Sequence, residues 1–171
     1  MLDKIDIRDI LKDHFGTLVS YSDSKPRPVD YVLFYILPLV SAVVAAVRDF
    51  RLTDDAVAVL INALAILAGL LFNLLVLVHG LTSVKAPTGA TDKRIMLSGT
   101  YANIAYAIVV ALIALVPLVL IANGVPWIRR WGSWSAVFLV IHFSLTLLMI
   151  LKRLHAIMTH ELRAPPATKR D

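Results

Sequence analysis

Four long runs free of Asp, Glu, Lys and Arg divide this chain: Tyr31–Val47, Ala56–Val78, Tyr101–Ala122 and Trp134–Leu151. A helix needs roughly 20 apolar residues to cross about 30 Å of hydrocarbon. Backbone amides in lipid must pair internally, so each run predicts a transmembrane helix. The alternation of an outer-membrane strand is absent from them. The expected architecture is all-α, an integral membrane four-helix bundle with spans over about 30–48, 55–82, 98–122 and 133–152.

Polar and helix-breaking residues fall between the runs. Residues 48–55, RDFRLTDD, predict a tight hairpin in which Thr53 or Asp54 caps the second span, because a short side-chain oxygen accepts from free amides. Asn123-Gly124-Val125-Pro126 ends the third span, and Ser133 is placed to cap the fourth. Pro38 and Pro117 lie inside spans, where a kink is tolerated. In residues 85–100, Thr91 or Asp92 offers an earlier start to the third helix.

Ahead of the spans, residues 1–29 predict a cytoplasmic amphipathic helix and a linker. Ile7, Ile10, Leu11, His14, Phe15 and Leu18 recur at helical spacing. Lys4, Arg8 and Lys12 form a basic stripe, and Asp3, Asp6, Asp9 and Asp13 take most of the other polar surface. Such a helix lies at the inner membrane surface or packs under the bundle; its mixed charge also suits docking to a cytoplasmic partner through residues 2–19. Residues 20–29, YSDSKPRPVD, read as a turn-rich linker, and residues 159–171 as a cytoplasmic tail. The four Asp ahead of Phe15 do not fit a signal peptide, so the first run is expected to stay as an anchor.

Composition agrees with lipid as solvent. The 171 residues are 58% hydrophobic, with a mean hydropathy of +0.77, against roughly 45–50% apolar content in soluble domains. There is no cysteine, which excludes disulfides and thiolate chemistry. The net charge of +5 is unevenly placed. Of the 17 Lys and Arg, only Arg48, Arg51, Arg129 and Arg130 lie on one side of the spans. The positive-inside rule therefore predicts a multi-pass membrane protein with both termini cytoplasmic. The basic residues then meet lipid headgroups, and no nucleic-acid partner is expected. Trp127, Trp131 and Trp134 suit an aromatic belt at the opposite face.

Candidate chemistry rests on polar residues inside the spans. Asn62, Gly69, Asn73 and Gly80 are separated by 7, 4 and 7 residues, which places them in one stripe roughly 40° wide. Small residues let helices approach and an Asn bonds across the interface, so the stripe predicts packing within the chain. The alternative is a packing or pore-lining face between copies, or a register device like a buried coiled-coil Asn. His142 and Thr146 share a face of the fourth span, and Asn103 and Tyr106 lie one turn apart in the third. His142 is either a neutral imidazole bonded to a neighbouring helix or a proton-sensitive group. His155, His160 and Glu161 lack the i, i+4 ligand spacing of H-E-x-x-H, so no metal and no cofactor is expected. Phosphate loops and nucleophile elbows are absent. The spans contain no acid, which weighs against an enzyme and a proton-coupled transporter.

Three segments carry a resemblance: HFGTLVSYSD at 14–23, DYVLFYILPLV at 30–40 and ILAGLLFNLLVLVHGL at 66–81. They resemble small four-span membrane proteins of bacterial anti-phage systems, such as the Kiwa membrane subunit and the membrane-disrupting effectors of nucleotide-signalling systems. The likeness is one of architecture, extends over residues 14–81, about two-fifths of the chain, and brings no catalytic residues with it. It implies an oligomeric sensor, anchor or pore-forming effector with a cytoplasmic partner. A small channel or transporter, or an accessory subunit of a larger complex, are the competing expectations.

Overall fold

The computed structural model describes residues 7–17, 32–83, 91–125 and 127–163, without the side chains of 81–83, 91–95 and 160–163. The described part is helical: α1 (Arg8–Thr17), a π-helical turn (Val32–Ile36) running into α2 (Leu37–Val47), α3 (Asp54–Ser83), α4 (Thr91–Ala122) and α5 (Ile128–Arg163). Three stretches are long and apolar enough to cross a membrane: Asp54–Gly80, Met96–Ala122 and Ile128–Thr159. The first apolar run, Val32–Val47, forms a shorter helix.

Local chemistry explains the ends. Pro38 sits in the first turn of α2, where its missing amide is least costly, and the π-helical turn precedes it. At the other end Asp49 takes φ 47°, and the Phe50 amide reaches back to the Ala45 carbonyl at 2.8 Å. Asp is one of the few side chains that tolerate this left-handed turn. Thr53 Oγ1 accepts from the Ala56 amide at 3.3 Å and caps α3. Gly124, at φ 71°, closes α4 with Gly124 N to Ile121 O at 2.9 Å and Val125 N to Leu120 O at 3.3 Å, a Schellman pattern. Pro117 lies within α4 without ending it.

Ser133 is not a cap. α5 begins at Ile128, a turn and a half earlier than the apolar run, and Ser133 is buried inside it. Its hydroxyl donates to Arg129 O at 2.7 Å and accepts from the Leu52 amide at 3.0 Å. The hydroxyl thus ties the α2–α3 hairpin to α5. Arg129 pairs with Asp54 across the same end, while Asp49 meets Arg51 at 3.0 Å and Arg130 at 3.4 Å. The Arg130 guanidinium lies 5.1 Å from the Trp134 ring, whose Nε1–H donates to Phe50 O at 3.2 Å. The charges of this end largely neutralise one another at the ring of tryptophans.

Packing is an open row and not a closed bundle. The order is α3, α4, α5, α2, with α1 laid on α4; among the described residues α2 and α3 do not touch. α4 is the central member. Ala107, Ala111 and Ala114 are fully buried along it, which lets its neighbours approach closely. α3 is the edge member. Val57, Leu64, Leu71 and Val78 recur every seven residues and take its contact with the core, a coiled-coil-like seam.

Candidate functional site

Two polar features stand out, one inside the row and one on its edge. The inner one begins with a backbone defect. Pro38 has no N–H for the carbonyl four residues back, that of Phe34. His142 Nδ1–H donates to Phe34 O at 2.7 Å. With that proton on Nδ1, Nε2 carries the lone pair and accepts from the Tyr106 hydroxyl at 2.7 Å. One neutral imidazole thus links the π-helical turn, α4 and α5. Both ring nitrogens are used, and the ring is 2% exposed. Thr146, also buried, returns its hydroxyl to His142 O at 2.9 Å.

The second half of the cluster comes from α1. His14 is fully buried and stacks on Tyr106 at 3.7 Å between ring centroids. Its Nδ1–H donates to Asn103 Oδ1 at 2.8 Å, and Thr17 Oγ1 donates to the same oxygen at 2.9 Å. Arg153 Nη2 donates to Thr17 O at 2.6 Å, closing the last turn of α1 from α5. Phe15 stacks with Tyr35 at 5.9 Å, and Tyr35 lies 5.2 Å from His142. Among the described residues, His14 Nε2 and Asn103 Nδ2 are buried without a hydrogen-bond partner. Desolvation holds the His14 imidazole down at about 4 from 6.5, opposed by the Asn103 bond and helped by the nearby His142 and Arg153.

Asn103, Tyr106, His142 and Thr146, separate candidates in the sequence, therefore share one cluster. His14 and Phe34 join them unforeseen. His14 reads in the sequence as one more member of an apolar face, and its partner is 89 residues away. A sequence signal for Phe34 exists: a proline four positions on leaves its carbonyl unpaired.

The outer feature is the stripe on α3. Asn62, Gly69, Asn73 and Gly80 are all exposed, on the side of the helix opposite the Leu64–Leu71 seam. A Cβ built on Gly69 or Gly80 meets nothing within 4 Å. The expectation of packing within the chain is thus corrected: α4 takes the apolar seam, and the two glycines face open space. The reason is that α3 sits at the end of an open row and, among the described residues, has one helical neighbour. In the candidate span Asp54–Gly80 both amides lie about 7–9 Å from the midpoint at 1.5 Å per residue, within the half-thickness of hydrocarbon in a bilayer centred on that span.

His79 and His155 stay apart from both features. His79 lies beside Tyr101, and His155 beside Thr159. The side chains of His160 and Glu161 fall outside the described residues. Among the described residues no three of His, Cys, Asp or Glu are placed to share a metal ion. An apolar groove of about 440 Å³ runs between α2 and α5, lined by Leu39, Val43, Trp131, Trp134 and Phe138 among others. No family model, curated protein or solved structure matches the chain.

Proposed function

We propose that this chain is a non-enzymatic membrane protein that acts by self-assembly, with copies meeting through the outward face of α3. The observation that carries this reading is the exposure of Asn62 and Asn73 at hydrocarbon depth, on a face whose glycines leave room for another backbone. A carboxamide facing lipid has unsatisfied donors and acceptors. The same amide on a second, parallel copy satisfies both. Such bonds contribute about 0.6–2 kcal/mol each.

In the full reading the protein crosses the bacterial inner membrane four times with both termini cytoplasmic, the short α2 helix supplying the first crossing. The resemblance of residues 14–81 to anti-phage membrane proteins suggests the setting: a sensor, anchor or membrane-disrupting effector in defence. The charged side of α1, with Arg8, Asp9, Lys12 and Asp13 exposed, is the surface offered to a cytoplasmic partner. A conducting assembly is the second reading, favoured by the two amides on one face; ion flux through liposomes holding the purified chain alone tests it.

The chain has no cysteine, so single introduced cysteines report contacts cleanly. Gly69→Cys should cross-link between copies on oxidation, whereas Ile113→Cys, on the exposed side of α4, should not. Asn62→Leu with Asn73→Leu should weaken association about tenfold or more. Unchanged oligomer size in the double variant, with no Gly69→Cys cross-link, overturns the reading.

A further inference from the structure

We propose that α1 is a detachable latch, held in the membrane domain by a neutral His14 and released when that imidazole takes up a proton. Geometry carries the argument. The docked ring spends its only N–H on Asn103, and its other nitrogen, Nε2, is buried with no partner. A proton added there creates a second N–H that has no hydrogen-bond partner among the described residues, while the ring is fully buried. It also creates a cation, whose desolvation is costly unless it is paired.

The surroundings make pairing worse. From α4 the ring meets Tyr106 and Asn103; from α5 it is approached by His142 and by the cationic Arg153; the π-helical turn contributes Tyr35 close by. Within α1 itself Arg8, Asp9, Lys12 and Asp13 lie on the exposed side. The partners of His14, which are Asn103, Tyr106 and Phe15, include no carboxylate. Burial accordingly lowers the docked imidazole to about 4, against 6.5 when free.

The sign follows from linkage. The undocked state binds the proton more tightly, so docking is at full strength above pH 6.5. It weakens as pH falls toward about 4, where the docked ring also titrates. Within that window the docking constant drops about tenfold per pH unit. α1 has 10 residues, below the roughly 12–15 at which an isolated helix becomes even marginal in water. Released α1 therefore loses its helix, and docking can be read from its amides. Other contacts that must part with it include half-buried Ile10 and Leu11 on the core, the Phe15 ring on Tyr35, the Thr17 hydroxyl on Asn103, and Arg153 on the Thr17 carbonyl.

The test is hydrogen exchange of the full chain in lipid nanodiscs from pH 7.5 to 4.5, corrected for intrinsic exchange rates. Protection of the α1 amides should fall about tenfold per pH unit below 6.5, while α3 amides hold steady. His14→Phe, which keeps an aromatic ring against Tyr106 without a titratable nitrogen, should remove the slope. His14→Lys should show at pH 7.5 the low protection that the native chain reaches only in acid. A flat native profile overturns the latch. So does an unchanged slope in His14→Phe, or native-like α1 protection in His14→Lys at pH 7.5.

Discussion

Asn103 and the pair Asn62/Asn73 are the same residue type in neighbouring helices, and they meet opposite fates. Asn103 is fully buried in the central helix, its carbonyl oxygen filled by His14 and Thr17. Asn62 and Asn73 stand on the outer face of the edge helix. The difference lies in the number of neighbours. Among the described residues α4 touches α1, α3 and α5, whereas α3 touches α4 alone. A polar group in lipid needs a partner wherever it stands; the centre of the row supplies one to the Asn103 oxygen from within the chain, whereas at the edge the proposed self-association would have to supply it from a second molecule.

The comparison breaks most visibly at His142. His142→Ala should destabilise the protein by about 3–5 kcal/mol, because it removes the acceptor of the Tyr106 hydroxyl proton and the donor to the Phe34 carbonyl and opens a cavity. Reversible unfolding in mixed micelles reads this loss. Smaller and more discriminating is the asparagine pair. Asn103→Leu should cost about 1–3 kcal/mol by stranding the buried Nδ1–H of His14. Asn62→Leu, measured on monomer, should stay within about 0.5 kcal/mol. Equal losses at the two sites would mean that Asn62 has a partner inside the chain.

The smallest expected effects compare glycines. A Cβ at Gly132 would stand 3.1 Å from the Ile121 side chain, where α5 presses against the end of α4. Gly132→Ala should therefore cost about 1 kcal/mol in the monomer, as overpacking does. Gly69→Ala meets open space and should be neutral, or stabilising by up to about 1 kcal/mol through helix propensity. Its effect should appear only in association, which sedimentation equilibrium in matched detergent separates from folding.

Much of the fold was legible because lipid is an unforgiving solvent. Charge-free runs mark the long helices, and a Gly124 that must adopt positive φ marks the end of one. The stripe on α3 was legible as a face, since 3.6-residue periodicity is a property of one helix. Which way the face points was not, because that depends on how many neighbours α3 acquires. The start of α5 was misread at Ser133 for a related reason. Its hydroxyl bonds to the amide of Leu52, 81 residues away, and serves a tertiary junction.

Sequence alone, then, settled which segments are apolar enough for a membrane, where they break, and that the charge-free runs carry imidazole, phenol, amide and hydroxyl side chains but no acid. Those properties are local, set by side-chain hydration and backbone geometry over a few turns. Tertiary structure settled the partners. It opened the row at α3, turned Asn62 and Asn73 outward, and brought His14 of α1 onto Asn103 and Tyr106. Contacts across tens of residues leave no periodic trace, because each partner's pattern is satisfied by several neighbours and packing alone selects one.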